Sequence, residues 1–236
     1  MKILAVDTAT SSLSVAVMDA GSLRTELTCS TGQTHARHLM TLVDTALNVS
    51  DMSANDLDAF AVTIGPGTFT GLRIGLSTVQ GMAAATSKPV AGITSLDALA
   101  AQAAPTSHGS GSLVCAMLDA RRKEVYCGFY RSNGQAVVPV SEPRVGSPET
   151  LVDEIAEPCF LVGSGALLYQ QALREKLADC FVLAPHSAHT IRGETIGRLA
   201  LKTLESHTVP VNRVLQPLYL RKSDAEINAA GKAIHG

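Results

Sequence analysis

The 236-residue sequence contains no tryptophan, and aromatic residues make up only 4% of it. Alanine, glycine, serine and threonine carry much of the composition, which favours close packing of small side chains over an aromatic core. Hydrophobic residues make up 46% and charged residues 17%, as is typical of a soluble globular protein. The length predicts one large domain or two small ones.

The sequence also lacks an excess of basic residues, because its formal net charge is -2 and its pI is near 6.4. Neutralising the phosphates of a nucleic acid requires clustered lysine and arginine side chains. The charge balance therefore argues against a chain that binds nucleic acid by itself. We expect any contact with RNA to be shared with another subunit.

The cysteines show no pairing pattern and the sequence has no long apolar run. The five cysteines are odd in number, widely spaced and without a CxxC pair, so we expect reduced thiols of a cytoplasmic protein. The apolar run after Lys2 is interrupted at Asp7, which is too short for a signal-peptide core. No apolar run reaches about 18 residues, so no membrane span is predicted. The cysteines are Cys29, Cys115, Cys127, Cys159 and Cys180.

The most distinctive stretch runs from Ile64 to Thr86 and combines a glycine-rich turn with an apolar helix. Thr70 is a natural N-cap, and the helix that follows is apolar or small almost all the way round. Such a helix is covered on every side, either by a second layer of the same chain or by another subunit. Gly71 and Gly75 lie one turn apart, which would allow another helix to approach closely.

The order of predicted elements is similar in the two halves of the chain. Three β-strands and then alternating helices and strands are predicted before a proline-, glycine- and serine-rich stretch at Ala103–Ser112, which we interpret as a domain boundary. Strands and then alternation follow again, with helices predicted over Thr150–Ala156 and Ala166–Leu177. In each half the leading strand ends near an aspartate, Asp7 in the first and Asp119 in the second. We interpret this as a duplicated architecture.

Five motifs in order along the chain resemble the bacterial TsaB (YeaZ) family. They are ILAVDTAT from Ile3, GPGTFTGLRIG over Gly65–Gly75, LDARRKEVY from Leu118, LVGSGA from Leu161 and PLYLR from Pro217. Thr68 stands where that family usually has serine.

The resemblance implies an α/β protein with the duplicated ribonuclease-H-like fold of actin, Hsp70 and sugar kinases, in which each domain has a mixed sheet flanked by helices. The expected division is a first domain over residues 1–104, a second over 105–222 whose last segment can pack back on the first, and a tail over 223–236.

The resemblance also implies a non-catalytic scaffold or activating subunit for threonylcarbamoyl transfer to the adenosine next to the anticodon of tRNAs that read ANN codons. The implied partners are a TsaD-like catalytic subunit and a TsaE-like ATPase, with a homodimer when the chain is alone. Contact with tRNA would occur only through the complex. No cofactor is expected in this chain, because ATP and metal would be bound by the partner subunits.

In that family the helix after the GPG turn lies in the subunit interface together with the first helix. The substitution Gly75→Leu is expected to block association while leaving the fold intact. The interface residues predicted in this way are Gly67, Phe69, Thr70, Gly71, Leu72, Gly75, Thr78, Val79 and Met82 around the central helix, with His35 and Leu39 on the first helix.

An ATP-dependent phosphotransferase of the same fold is the alternative function. Its phosphate sites would contain Asp7 and Asp119, with Thr8, Gly163 and Gly165 as further nucleotide-binding candidates. However, neither aspartate is followed by the glycines that let backbone amides surround a phosphate. We therefore favour a structural role for Asp7, in which it accepts hydrogen bonds from the turn after its strand.

A metal-dependent glycopeptidase is a third possibility, supported only by two histidine pairs. His35 and His38 are three residues apart, and so are His186 and His189, so either pair could reach one metal from a helix. A metal site needs three or four ligands, and no carboxylate or cysteine accompanies either pair. The HxxxH motif of TsaD, the HExxH motif and a Ser-His-Asp arrangement are all missing from the sequence.

Overall fold

The computed structural model describes residues 1–30, 35–104, 111–133, 136–206, 209–211 and 214–221, without the side chain of His35. The predicted domain boundary adjoins residues 105–110, and the predicted tail 223–236 also lies outside the described residues. We keep the division into residues 1–104 and 105–222 as a proposal.

The N-terminal half begins with three antiparallel strands, as predicted, and then alternates helices with strands. Ala20 and Gly21 both have positive φ, which suits the tight hairpin turn between the second and third strands. The elements are β1 (Lys2–Asp7), β2 (Leu13–Asp19), β3 (Ser22–Cys29), α1 (His35–Val49), a 3-10 turn (Ala54–Asp56), β4 (Ala59–Gly65), α2 (Phe69–Thr86), β5 (Val90–Thr94) and α3 (Ser95–Ala103).

The C-terminal half follows the same plan with shorter elements. None of the helices in the described ranges is long and apolar enough to cross a membrane. The elements are β6 (Ser112–Arg121), β7 (Glu124–Ser132), β8 (Val137–Pro139), β9 (Arg144–Gly146), α4 (Pro148–Leu151), β10 (Cys159–Val162), α5 (Ser164–Leu168), α6 (Gln170–Leu177), β11 (Phe181–Leu183) and α7 (Gly193–Ser206), with 3-10 turns at Ala178–Cys180 and His186–Ala188.

The two sheets share one strand order. The first is β3-β2-β1-β4-β5, in which β1 is antiparallel to β2 and parallel to β4. The second is β8-β7-β6-β10-β11, in which β6 is antiparallel to β7 and parallel to β10, while β9 pairs with β7 outside this order. This repetition confirms the predicted duplicated ribonuclease-H-like fold.

Helices cover both faces of each sheet. The central core joins residues of both sheets through α3 and α7, so these two helices lie between the sheets. The outer face of the first sheet packs against α1 and α2, and that of the second against α4, α5 and α6. Although α7 comes late in the chain, it contacts β1 and β2 of the first sheet. The outer pair α1 and α2 leaves one side of each helix at the surface.

Three details of the second half differ from the sequence prediction. The helix expected over Thr150–Ala156 is the shorter α4, which starts at Pro148 because Ser147 caps it by accepting a hydrogen bond from the Thr150 amide at 3.3 Å. The helix expected over Ala166–Leu177 is interrupted at Tyr169 and forms α5 and α6. The strand β9 was not predicted, since three residues carry no recognisable period.

Candidate functional site

The inner side of α2 is held by the loop that follows β1. The Thr8 hydroxyl donates to the Gly71 carbonyl oxygen at 2.8 Å, and the Thr68 amide donates to the Ala9 carbonyl oxygen at 2.7 Å. A Cβ added at Gly71 would collide with the Thr8 carbonyl oxygen, and one at Gly75 would collide with Thr8 Oγ1. The two glycines therefore admit a loop of the same chain rather than a partner helix.

This packing corrects which predicted interface residues could face a partner. Gly71, Leu72, Gly75 and Val79 of α2, and Leu39 of α1, are buried within the chain. Gly75→Leu is therefore not the fold-preserving substitution that the sequence suggested. Gly67, Thr78 and Met82 are partly exposed, Phe69 and Thr70 are exposed, and the His35 side chain lies outside the described atoms.

The outward side of α2 carries mostly small residues. Arg73, Ser77, Gly81, Ala84 and Ala85 are exposed along it. A Cβ added at Gly81 would meet no atom within 4 Å. The helical spacing of these residues, with Arg73 as the only charge of the helix, was the sequence signal that could have identified the outward side.

A C-terminal segment, residues 214–221, borders α2 and is fixed to it. The Leu215 amide donates to Gln80 Oε1 at 2.9 Å, and the Leu218 amide donates to the Ile64 carbonyl oxygen at 2.6 Å. The Leu215 side chain is buried in the core under α2. A cavity of about 420 Å³ opens between α2 and this segment. Its lining residues are Gln80, Gly81, Ala83, Ala84, Val90, Val211 and Val214.

Asp7 lies at the end of β1, fully buried beneath the same loop. Its Oδ1 accepts hydrogen bonds from the Thr63 hydroxyl at 2.7 Å and the Ala9 amide at 3.1 Å. Its Oδ2 is buried and has no hydrogen-bond partner among the described residues. Burial raises the pKa of Asp7 to about 6, and the bonds from Thr63 and Ala9 oppose that rise.

In the second half, the turn after β10 is closed by packing within the chain. Gly163 has φ +105°, and a Cβ there would collide with the Met117 carbonyl oxygen, while one at Gly165 would lie 2.9 Å from Val125 Cγ1. The Asp119 amide donates to Ser164 Oγ at 3.2 Å. Close packing thus explains the glycines of this turn. Among the described residues, protein atoms occupy the space beside the loop after Asp7 and beside the loop around Gly163.

The histidine pairs do not form a metal site among the described residues. No group of three or more histidine, cysteine, aspartate or glutamate side chains in the described ranges could hold an ion. His189 is buried, and its Nδ1 accepts from the Gly163 amide at 3.0 Å while its Nε2 donates to the Ala184 carbonyl oxygen at 2.9 Å. Both nitrogens of His189 are therefore used to join two loops. His38 is half-buried on α1.

The chain is similar to a family model and to curated relatives over most of its length. Residues 29–229 match the family model described as TsaD, tRNA N6-adenosine threonylcarbamoyltransferase. The chain is 30% identical over 230 residues to the tRNA threonylcarbamoyladenosine biosynthesis protein TsaB of Haemophilus influenzae, covering 94% of each chain. It is 31% identical over 240 residues to the Escherichia coli protein of the same name, covering 98% of this chain and all of that one.

A solved structure of YeaZ from Pseudomonas aeruginosa is also similar. It superimposes with a TM-score of 0.78 at 30% identity, covering 93% of this chain and 99% of that chain. The similarity therefore extends over both sheets and over the helices that cover them.

Proposed function

The chain belongs to the TsaB (YeaZ) family, and from this premise we propose that it is a non-catalytic subunit that holds a TsaD-type catalytic subunit in a competent state. Its relatives are named for tRNA threonylcarbamoyladenosine biosynthesis, and the chain has a role in that biosynthesis. The proposed complex transfers the threonylcarbamoyl group to the adenosine beside the anticodon of tRNAs that read ANN codons. It also recruits a TsaE-type ATPase, and the chain forms a homodimer when alone.

The observation that carries this proposal is the outward side of α2. Ser77, Gly81, Ala84 and Ala85 are exposed there without a large side chain, so a facing helix could approach the backbone closely. Val211 and Val214 are 44% and 71% exposed at its border and line the cavity of about 420 Å³. An exposed apolar border of this kind favours a protein partner over solvent.

The filled strand-end loops support a role without chemistry in this chain. A phosphate cradle needs backbone amides that point into open space, usually from a glycine-rich turn. Here the loop after Asp7 bonds to the first turn of α2, and the Gly163 amide bonds to His189. We therefore assign ATP and metal binding to the partner subunits.

Gly81→Leu tests the proposed surface. The added side chain meets open space in the free chain, so folding is preserved, while a leucine on the outward side of α2 would hold a partner helix away. We expect size-exclusion chromatography with light scattering to show a wild-type homodimer that exchanges for a heterodimer with TsaD. The variant should associate at least about tenfold more weakly. Adding the TsaE-type ATPase to the heterodimer tests its recruitment.

Lys202→Leu is the matched control, because it places the same side chain on an exposed position of α7. Unchanged association of the Gly81 variant would reject α2 as the interface. A wild-type chain that ignores TsaD would reject the subunit role itself.

A further inference from the structure

An exposed aromatic and arginine cluster lies where α2 begins. The rings of Phe69 and Tyr219 stack with their centroids 5.0 Å apart and an interplanar angle of 22°. The Arg73 guanidinium lies 3.8 Å from the Phe69 ring centroid, and its Nε donates to the Tyr219 hydroxyl at 3.2 Å. Phe69 is 37% and Tyr219 39% exposed, so the cluster is held in place and is still open to solvent.

The C-terminal segment connects this cluster with the hairpin between β6 and β7. Arg221 follows Tyr219 by two residues, so their Cα atoms are at most about 7.6 Å apart. Arg221 Nη1 lies 2.8 Å from Glu124 Oε2, and Glu124 is the first residue of β7. Arg221 therefore links the cluster to the hairpin turn at residues 121–123, and we call these residues together the aromatic-basic strip.

The residue types in the hairpin turn are not those that its backbone conformation favours. Arg121, Arg122 and Lys123 all have positive φ, at 63°, 56° and 63°. A two-residue hairpin loop with positive φ at both positions strongly prefers Asn-Gly. Three long cationic side chains, all exposed, occupy this turn instead. Their charge, rather than the turn geometry, accounts for these residue types.

The strip differs in charge from the chain as a whole. It contains the cations Arg73, Arg221 and those of the turn, and of the carboxylates beside it in the described residues, Asp119 pairs with Arg121 and Glu124 with Arg221. The whole chain has a formal net charge of -2. A local excess of cations beside stacked aromatic rings is the combination that binds single-stranded or looped RNA, because phosphates pair with the cations and bases stack on the rings.

We propose that the aromatic-basic strip binds the RNA substrate of the complex, with the turn contacting phosphates and the pair Phe69 and Tyr219 stacking on an unpaired base. This inference rests on the proposed function, because a surface this small adds to the affinity of a heterodimer rather than supplying it alone. An acidic protein segment is the competing occupant.

The double substitution Arg122→Asn and Lys123→Gly removes two cations and installs the preferred turn sequence, so folding is preserved. With an unmodified tRNA transcript that reads ANN codons, we expect the heterodimer to lose roughly tenfold in affinity at 0.15 M salt. The slope of log affinity against log salt should fall by about 1.4, because each phosphate that is no longer neutralised reduces it by about 0.7. Tyr219→Leu should weaken binding by about fivefold or more without changing that slope.

Arg198→Gln with Lys202→Gln is the control, because it removes two exposed cations one turn apart on α7. An equal loss of affinity in this control would overturn the strip as a specific site. Unchanged tRNA affinity of the strip variants within an intact heterodimer would overturn it as well. Loss of TsaD or ATPase binding in those variants would assign the strip to a protein partner. If the wild-type chain forms no heterodimer, the proposed function fails and the strip inference fails with it, whereas an intact heterodimer with unchanged tRNA affinity overturns the strip alone.

Discussion

Asp7→Asn is expected to stabilise the protein at neutral pH and to leave its stability unchanged in acid. Burial raises the pKa of Asp7 from 3.8 to about 6, so the folded chain keeps this proton after the unfolded chain has lost it. The stabilisation from this group is complete below pH 3.8 and is lost as the pH rises to about 6. With about 1.4 kcal/mol for each pKa unit, the ionised carboxylate costs about 3 kcal/mol above pH 6.

Asparagine has the shape of the protonated side chain and cannot ionise. The stability difference between variant and wild type should therefore be near zero at pH 4 and grow to about 3 kcal/mol at pH 7.5. For a chain of this size that is a rise in melting temperature of about 6 to 12 °C. Far-UV circular dichroism is the suitable probe, since the sequence has no tryptophan.

Taking the stability difference between variant and wild type at each pH cancels the titration of the other carboxylates. Asp44→Asn on the exposed side of α1 controls for the loss of one charge. A difference that does not vary with pH would refute burial as the main cause of the raised pKa. A variant that is less stable than wild type at pH 7.5 would contradict the calculated cost of the ionised carboxylate.

Two further predictions concern packing around α2. Gly75→Ala should lower the free energy of unfolding by about 1 to 3 kcal/mol, because the added methyl group collides with Thr8 Oγ1. Gly81→Ala should raise it by up to about 1 kcal/mol, because alanine has the higher helix propensity and its Cβ meets no atom. Similar effects of the two substitutions in urea unfolding would contradict the assignment of inner and outer sides. Leu215→Ala should lower the free energy of unfolding by about 2 kcal/mol or more and speed proteolytic cleavage of the C-terminal segment, because the Leu215 side chain is buried. Val214→Ala, at a 71% exposed position, should change neither property.

The strand pattern and the central helix could be predicted because they depend on local sequence, although the N-cap of α2 is Thr68 and not the predicted Thr70. Apolar runs separated by hydroxyl- or glycine-rich turns were enough to place β1, β2 and β4, and the repeated order of elements predicted the duplication. The interruption at Tyr169 could not be predicted, because neither proline nor glycine marks it and the apolar spacing continues through it. Very short elements such as β9 are formed by pairing with an existing strand, which has no local signal.

The two sides of α2 were the part of the candidate site that the sequence oriented incorrectly. Gly71 and Gly75 indicate close backbone approach, and that inference is correct, but the approaching group is the loop at Thr8. Both faces of α2 are apolar or small, so the single charge at Arg73 was the one sequence feature that marked the outward face. The contact between Phe69 and Tyr219 joins residues 150 positions apart in the sequence, so only the folded chain brings the aromatic-basic strip together.

The two sides of α2 relate the proposed subunit role to the proposed RNA contact of a chain whose own net charge is slightly negative. The inner side receives the loop after Asp7, whose Thr8 hydroxyl donates to the Gly71 carbonyl oxygen. The outer side is the proposed partner surface, and Phe69 at one end of the helix belongs to the aromatic-basic strip. Twelve residues separate Phe69 from Gly81, which is about 18 Å along a helix. A catalytic subunit docked around Gly81 would therefore lie beside the strip, and an RNA held by its stacked rings and cations would already be next to that subunit.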